Sequence, residues 1–452
     1  MKAELNREFI EHLRGLIEQE ASGEIVGLLK DLHPADIAEI MEELSMEEAR
    51  YLYLQLDREL ASDVLVEISE DDRNRFLRVL PPEVIASQFI GYMDSDDAAD
   101  IIGDLDEEMK EAVLRKIEDK EQAGDIADLL EYDEETAGGL MAKELVKVNE
   151  NWTVQTCLKE ISAQAEEIDE IYYVYVVDDD NLLKGVLSLS KLIQKPTQTR
   201  VSEIIQEDIH WVKTDTRQEE VAQIMEKYDL VALPVVDHMG RLKGRITIDD
   251  VVDVIREEAG KDYQMVSGIT GDIEPGDRIW QQTRARIPWL VVGTAGGLLG
   301  ARVLGSNAGT ISQIPAMAFF IPLIAATAGN VGVQSSSIVV QSIASGSRNF
   351  DSMWKKLFKE LAVGIITALF FAFVIFVYNY FFSDNFRLTL AVSCTLFLVI
   401  IFASLSGSFI PLMLNKMKID PALATGPFIT TTNDVVGLIL YMLVARSFFS
   451  VF

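Results

Sequence analysis

Thr430, Thr431, Thr432, Asn433 and Asp434 stand in a row inside Leu423–Phe449, a stretch otherwise fit for hydrocarbon. An ionised carboxylate at the bilayer centre costs about 2.5–3.5 kcal/mol on insertion scales. Polar groups at that depth must be buried in protein or line a wet cavity. Asp434 therefore has two readings: a carboxylate bonded to a neighbouring hydroxyl or protonated in lipid, or a cation site in a hydrated pathway. Its oxygen-only surroundings suit hard cations such as Mg²⁺ or Ca²⁺ over soft metals. His12, His33, His210 and His238 all lie in the other half and Cys394 is isolated, which argues against a copper or zinc site. Two further acid sets have spacing that matters. Asp96 and Asp100 are i, i+4 and share one helix face, and Asp250, Asp253 and Glu257 share another at i, i+3, i+7. Any single one of them could equally be a solvated surface acid or a helix N-cap.

The elements that must position these acids follow from charge and hydropathy. The chain of 452 residues carries 40 Lys+Arg against 72 Asp+Glu, yet 49% of it is hydrophobic. From residue 285 onward there are 10 basic and 5 acidic side chains, which leaves 30 and 67 before it, a net of -37 against +5. Such an acidic half repels phosphate backbones and attracts cations, so no nucleic-acid partner is expected. Five stretches are long and apolar enough to cross a bilayer: approximately Ile287–Ser306, Ile314–Ile343, Leu357–Phe382, Leu388–Leu414 and Leu423–Phe449. The third and fourth, almost purely aliphatic and aromatic, read as lipid-facing. The first holds two overlapping GxxxG pairs (Gly293/Gly297 and Gly296/Gly300), and the second holds Pro315, Pro322, Gly329, Asn330, Gly332 and Gln334. Among the other acids of this half, Asp351 and Asp384 fall in loops and Glu360 and Asp420 at span ends.

Basic residues near the span ends set the orientation. Arg284 and Arg286, then Arg348, Lys355, Lys356 and Lys359, then Lys416 and Lys418 all fall on the side of the N-terminal domain, against Arg302 and Arg387 opposite. The N-terminus is expected in the cytoplasm and the C-terminus outside, in a multi-pass plasma-membrane protein. No signal peptide opens the chain, and Cys157 and Cys394 offer no disulfide framework.

Residues 30–130 repeat one amphipathic pattern, with apolar quartets at Ile37/Ile40/Met41/Leu44, Ala61/Val64/Leu65/Ile68, Ala86/Phe89/Ile90/Met93, Ala98/Ile101/Ile102/Leu105 and Ala123/Ile126/Ala127/Leu130. The pattern predicts a short α-helical superhelix. Residues 137–256 differ. Ile171–Val177 and Ala232–Val236 are buried-strand runs, and VVDDDNLLKGVLSLSKLI (Val176–Ile193) superposes without a gap on VVDHMGRLKGRITIDDVV (Val235–Val252) at an offset of 59. That is an internal duplication of a strand–turn–strand–helix unit.

The tandem resembles a pair of CBS motifs, the paired regulatory module of many channels, transporters and enzymes. With the helical array before it and five spans after it, the whole chain resembles the MgtE family of magnesium channels and transporters. The most specific pieces are PLIAATAGNVGVQSSS (Pro322–Ser337) and DPALATGPFITTTNDVVG (Asp420–Gly437), similar to that family's pore helices. The resemblance implies a multidomain membrane protein: a helical N domain over 1–132, an α/β tandem CBS domain over 133–256, a connecting plug region over 257–284, and an all-α five-helix transmembrane domain over 285–452. It implies a homodimer in which the second and fifth spans line a pore. Asp434 is then the pore cation site, Thr431 and Thr432 bond to the ion's waters, and Asn330 lies near the gate. It implies sensor ligands at Asp96, Asp100, Glu219, Asp229, Asp250, Asp253 and Glu258, through which cellular Mg²⁺ closes the pore, and possible ATP binding in the CBS pair. Lys261 departs from the pattern, standing where a ligand carboxylate is expected. Ile269–Gly276 reads as a turn-rich connector rather than part of one long helix.

The expected function is Mg²⁺ uptake under homeostatic feedback. The alternatives are a broader divalent-cation carrier or exporter (Co²⁺, Mn²⁺) and a nucleotide-sensing membrane sensor. No Walker or DKTG-type motif, catalytic dyad or metal-hydrolase spacing suggests a pump or an enzyme.

Overall fold

The computed structural model describes residues 7–78, 80–164, 168, 171–271, 273, 277–344, 353–383, 385–424 and 426–450. Arg348, Asp351, Asp384, Phe452 and four residues of the expected connector (Asp272, Glu274, Pro275 and Gly276) lie outside them. The chain divides into two compact units, residues 1–255 and 256–452.

The first unit opens with short helices: α1 (Arg7–Glu18), α2 (Ser22–Leu29), α3 (Pro34–Glu42), α4 (Met46–Tyr53), α5 (Arg58–Glu67), α6 (Glu70–Leu77), α7 (Pro82–Gln88), α8 (Ser95–Gly103), α9 (Glu107–Leu114) and α10 (Lys120–Leu129). Helices this short are marginal alone and stand only by sharing a core. Polar caps start them: Ser45 and Glu48 form a reciprocal capping box on α4, and Asp57, Asp106 and Asp119 accept from the first-turn amides of α5, α9 and α10. The apolar quartets are buried as the pattern predicts, with two differences. Ala86/Phe89/Ile90/Met93 is not one helix, because the backbone turns at Phe89 (φ -121°, ψ -65°) into a 3₁₀ segment, Ile90–Tyr92. In α10 the core side chains are Ile126 and Leu129, while Ala127 is exposed; the larger leucine takes the inward position.

The duplication is visible as two three-stranded sheets, β1 (Val146–Asn149), β2 (Val174–Val177), β3 (Leu183–Leu187) and β4 (Val212–Lys213), β5 (Ala232–Val236), β6 (Leu242–Thr247). In each the first two strands are parallel, joined through α11 (Val154–Gln164) or α13 (Gln218–Tyr228), and the last two antiparallel; α12 (Leu189–Gln194) follows β3 and α14 (Ile248–Val266) follows β6. Val176 faces Gly185 and Val235 faces Gly244, so the offset of 59 in sequence is kept residue for residue in the register. Each LKG glycine is required by a close backbone: a Cβ on Gly185 would lie 2.2 Å from the Gln206 carbonyl, and one on Gly244 2.6 Å from that of Ala142. A single apolar core joins the helices to the second repeat, from Leu13 through Met141 and Val235 to Val254.

The second unit contains α15 (Ile279–Ser306), α16 (Ala308–Gln313), α17 (Ile321–Ala344), α18 (Met353–Phe382), α19 (Phe386–Lys416) and α20 (Pro427–Ser450). Five helices are long and apolar enough to cross a membrane among the described residues. The fourth span is not lipid-facing as its composition suggests: 61% of its apolar window is buried in protein, against 11% for the first and third. Hydropathy alone cannot distinguish lipid from a neighbouring helix as the apolar surroundings. What marks α19 as central is its small residues, including Ser393, Thr395, Ala403, Ser404 and Gly407, all buried. Gly407 and Gly332 touch by backbone, since a Cβ on Gly407 would lie 2.4 Å from the Gly332 carbonyl oxygen. Gly407→Ala is therefore expected to cost about 1–3 kcal/mol through overpacking. A lowered melting temperature of the full chain in detergent checks this, with Gly293→Ala, which meets open space, as the unchanged control.

Candidate functional site

Two sites emerge, one in each unit. In the second, Asp434 lies two turns into α20, whose first residue is Pro427, so it sits in the N-terminal third of that helix rather than at its middle. α20 packs on α17, where Gly329 leaves the space the carboxylate uses: a Cβ there would come within 3.4 Å of Asp434 Oδ1 and 2.9 Å of the Thr430 methyl. Asp434 Oδ1 is buried and accepts no hydrogen bond from the described residues. One nearby hydroxyl and one methyl are engaged elsewhere. Thr430 donates to the Gly426 carbonyl at 3.0 Å, and the Thr431 methyl fills the notch at Gly296 of α15. Thr431 thus serves helix packing, and Thr432 is half-buried. Asn330 follows Gly329 on α17 and is exposed. A buried carboxylate oxygen without a protein donor is costly unless a cation or water completes it.

Two further polar groups, visible in the sequence only as part of the polar row and as an acid at a span end, have packing roles. Asn433 is fully buried; its Oδ1 accepts from Ser406 of α19 at 2.9 Å, and its amide fills the notch at Gly332. Glu360 of α18 is not a solvated span end: its Oε1 accepts from Ser335 of α17 and Ser404 of α19, each at 2.6 Å. One carboxylate ties three helices together. The row Ser335–Ser337 and the alternating Ser404, Ser406 and Ser408 in an otherwise apolar run were the available signals.

The first unit's site is an acid cluster. Asp94, Asp96 and Glu144 each offer an oxygen within 4.8 Å of the others. α8 sets two of them and the segment before β1 the third. Glu144 binds the helix start, accepting from the Ser95 amide at 3.1 Å and its hydroxyl at 2.8 Å; the Asp94 side chain makes no capping bond. Asp97 on α8 and Asp250 on α14 add like charge to Asp96, and Thr247 holds Asp250 with bonds of 2.6 and 3.1 Å. Burial, and then the neighbouring carboxylates, push Asp96 well above the usual carboxylate range and Asp97 up to about 7. Asp250 is raised by burial despite its Thr247 bonds. Asp100, exposed and so partly screened, is also pushed up to about 7 by surrounding protein, with Arg73 acting against the shift.

The other expected sensor ligands are scattered. Glu219 pairs with Arg217 at 3.0 Å in the first turn of α13, and Asp229 ends that helix in a left-handed conformation (φ 51°). Asp253 is exposed on α14. Glu258 pairs with Lys261 at 3.2 Å, and Glu257 pairs with the same ammonium at 2.7 Å, so Lys261 supplies a tethered cation to two acids. In the second unit the end of α14 meets the start of α20: a Cβ on Gly426 would lie 2.3 Å from the Val266 carbonyl, and Pro427 packs on Gly268.

Comparison with known proteins covers both units. The MgtE family, described as divalent cation transporters, matches residues 321–444; the MgtE intracellular N domain matches 32–135, and CBS domains match 137–196 and 201–257. The magnesium transporter MgtE of Thermus thermophilus is 34% identical over 429 residues, 93% of this chain and 94% of its own. That of Bacillus subtilis is 31% identical over 425 residues, 93% of each chain. Among solved structures, the cytosolic domain of the Mg²⁺ channel MgtE in complex with ATP is 35% identical, covers 54% of this chain and 99% of its own, and superposes with a TM-score of 0.51. The soluble part of a magnesium transporter is 33% identical, covers 56% and 98%, and gives 0.50.

Proposed function

The chain belongs to the MgtE family of divalent cation transporters, and from that premise we propose that it is a gated Mg²⁺ channel closed by Mg²⁺ binding to its acidic unit. The observation that carries the ion path is the buried Oδ1 of Asp434 beside Gly329, which has no partner among the described residues. Mg²⁺ loses its water reluctantly, so a site of one carboxylate per subunit holds it hydrated through its own waters. We place two copies of α20 around a twofold axis, with the acidic unit in the cytoplasm and the C-terminus outside, a placement that the bias of the basic loops supports.

Closure follows from electrostatics. Without divalent ions Asp94, Asp96, Asp97, Glu144 and Asp250 repel one another; an ion among them draws α8 and the start of α14 together. α14 is continuous from Ile248 to Val266, and its end abuts Gly426 at the head of the Asp434 helix. Uptake into liposomes with competing divalents, at low and high Mg²⁺ on the side of the acidic unit, tests this. Mg²⁺ flux should dominate and fall severalfold at high Mg²⁺. Equal flux in both conditions contradicts feedback, and Co²⁺ or Mn²⁺ flux that Mg²⁺ does not compete favours the broader carrier.

A second ligand is favoured by the ATP-bound relative. We place ATP in the cleft between the two CBS repeats, where titration of the full chain should release heat.

A further inference from the structure

A groove in the second unit has no part in the ion path. Gly296 of α15 receives Thr431 of α20, and Gly300 receives Leu438, so the two helices run parallel and their C-terminal ends reach the same membrane surface. Between those ends lies a cavity of about 480 Å³. Its lining is ordered by depth. Arg302 on α15 and Arg446 on α20 stand near the helix ends, with Leu299, Val435 and Ile439 further in. At about 100° per residue, Val435, Ile439 and Arg446 fall roughly 100–140° round α20 from Asp434, so the groove is not on the carboxylate's face. Little of α15 is covered by protein: 11% of its apolar window is buried.

Two guanidinium groups at the mouth of an apolar slot match one class of ligand. Arginine at the edge of hydrocarbon is placed where its head reaches the polar interface, and its planar fork binds phosphate through paired N–H donors. The apolar floor offers an acyl chain a surface that an inorganic anion would not use. We propose that this groove binds an anionic phospholipid, its phosphate held between Arg302 and Arg446 and an acyl chain laid along Leu299, Val435 and Ile439.

The test is native mass spectrometry of the purified full chain with phosphatidylglycerol as the probe, against phosphatidylcholine and inorganic phosphate. The wild-type chain should retain phosphatidylglycerol in preference to phosphatidylcholine, and inorganic phosphate should not displace it. The double variant Arg302→Gln/Arg446→Gln should retain roughly tenfold less. Leu299→Trp, which leaves both arginines and fills the slot, should also lose the lipid. Undiminished retention by either variant overturns the site. So does displacement by inorganic phosphate, which would make it an anion site only. Disulfide cross-linking of Leu443→Cys between copies would overturn it too, by showing that a second copy covers the groove.

Discussion

Asp434→Ala is expected to abolish Mg²⁺ uptake, read as failure to rescue growth of a transport-deficient strain at low Mg²⁺. At an effective dielectric constant near 20, a unit charge about 4 Å away is worth about 4 kcal/mol. Losing it from each subunit lowers site occupancy by a factor of about 1,000 or more. Asp434→Asn, which keeps shape and polarity but removes the charge, should fail as well. The fold should tolerate both changes, because Oδ1 accepts no hydrogen bond from the described residues. An unchanged melting temperature with lost uptake is therefore the expected pair of results. Full growth rescue by Asp434→Ala would remove this side chain from the mechanism.

Neutralising the acid cluster should have the second-largest effect, of opposite sign in two conditions. Asp97 and Asp100 are pushed up to about 7 from an ordinary 3.8, so the metal-free folded chain holds protons that the unfolded chain has already released. The stability these groups contribute is complete below the unfolded value and is lost as pH rises through about 7. Metal-free protein should thus melt higher at acid pH than above neutrality. Mg²⁺ relieves the same repulsion, so its stabilisation should be small at about pH 5.5 and large at about pH 8. In Asp96→Asn/Asp250→Asn the metal-free melting temperature at about pH 8 should rise by several degrees, at about 2–4 °C per kcal/mol for a unit of this size. The Mg²⁺-induced rise should disappear with it. A variant that still gains the wild-type increment from Mg²⁺ would place the regulatory ion elsewhere. Flux that stays high at high Mg²⁺ is the matching transport result.

Local pattern carried a large part of the architecture. The offset of 59 between Val176–Ile193 and Val235–Val252 reappears in the strand register, because paired strands of one length impose a common period. β1 and β4 went unseen: runs of 4 and 2 residues carry too little periodicity, and only pairing with β2 and β5 makes them strands. The five spans were legible from hydropathy, but which of them is central was not. The acid cluster shows the same division. Asp96, Asp100 and Asp250 stood out by helical spacing, whereas Glu144 joins Asp94 and Asp96 from some fifty positions away, with no local mark to announce it. Glu219, Asp229 and Glu258 were equally legible as acids, and only the fold sets beside them an arginine, a helix end and a lysine.

By itself the sequence determined what depends on neighbours along the chain: the split between an acidic half and an apolar half, the duplicated unit, the spans, and an aspartate set in hydrocarbon. Tertiary structure alone decided which oxygens meet. It set Asp434 against a glycine, turned Thr431 toward α15, drew Ser335 and Ser404 onto Glu360, and brought Glu144 to the head of α8. Spacing selects the face of a helix on which a side chain stands, and packing between distant segments selects what that face meets.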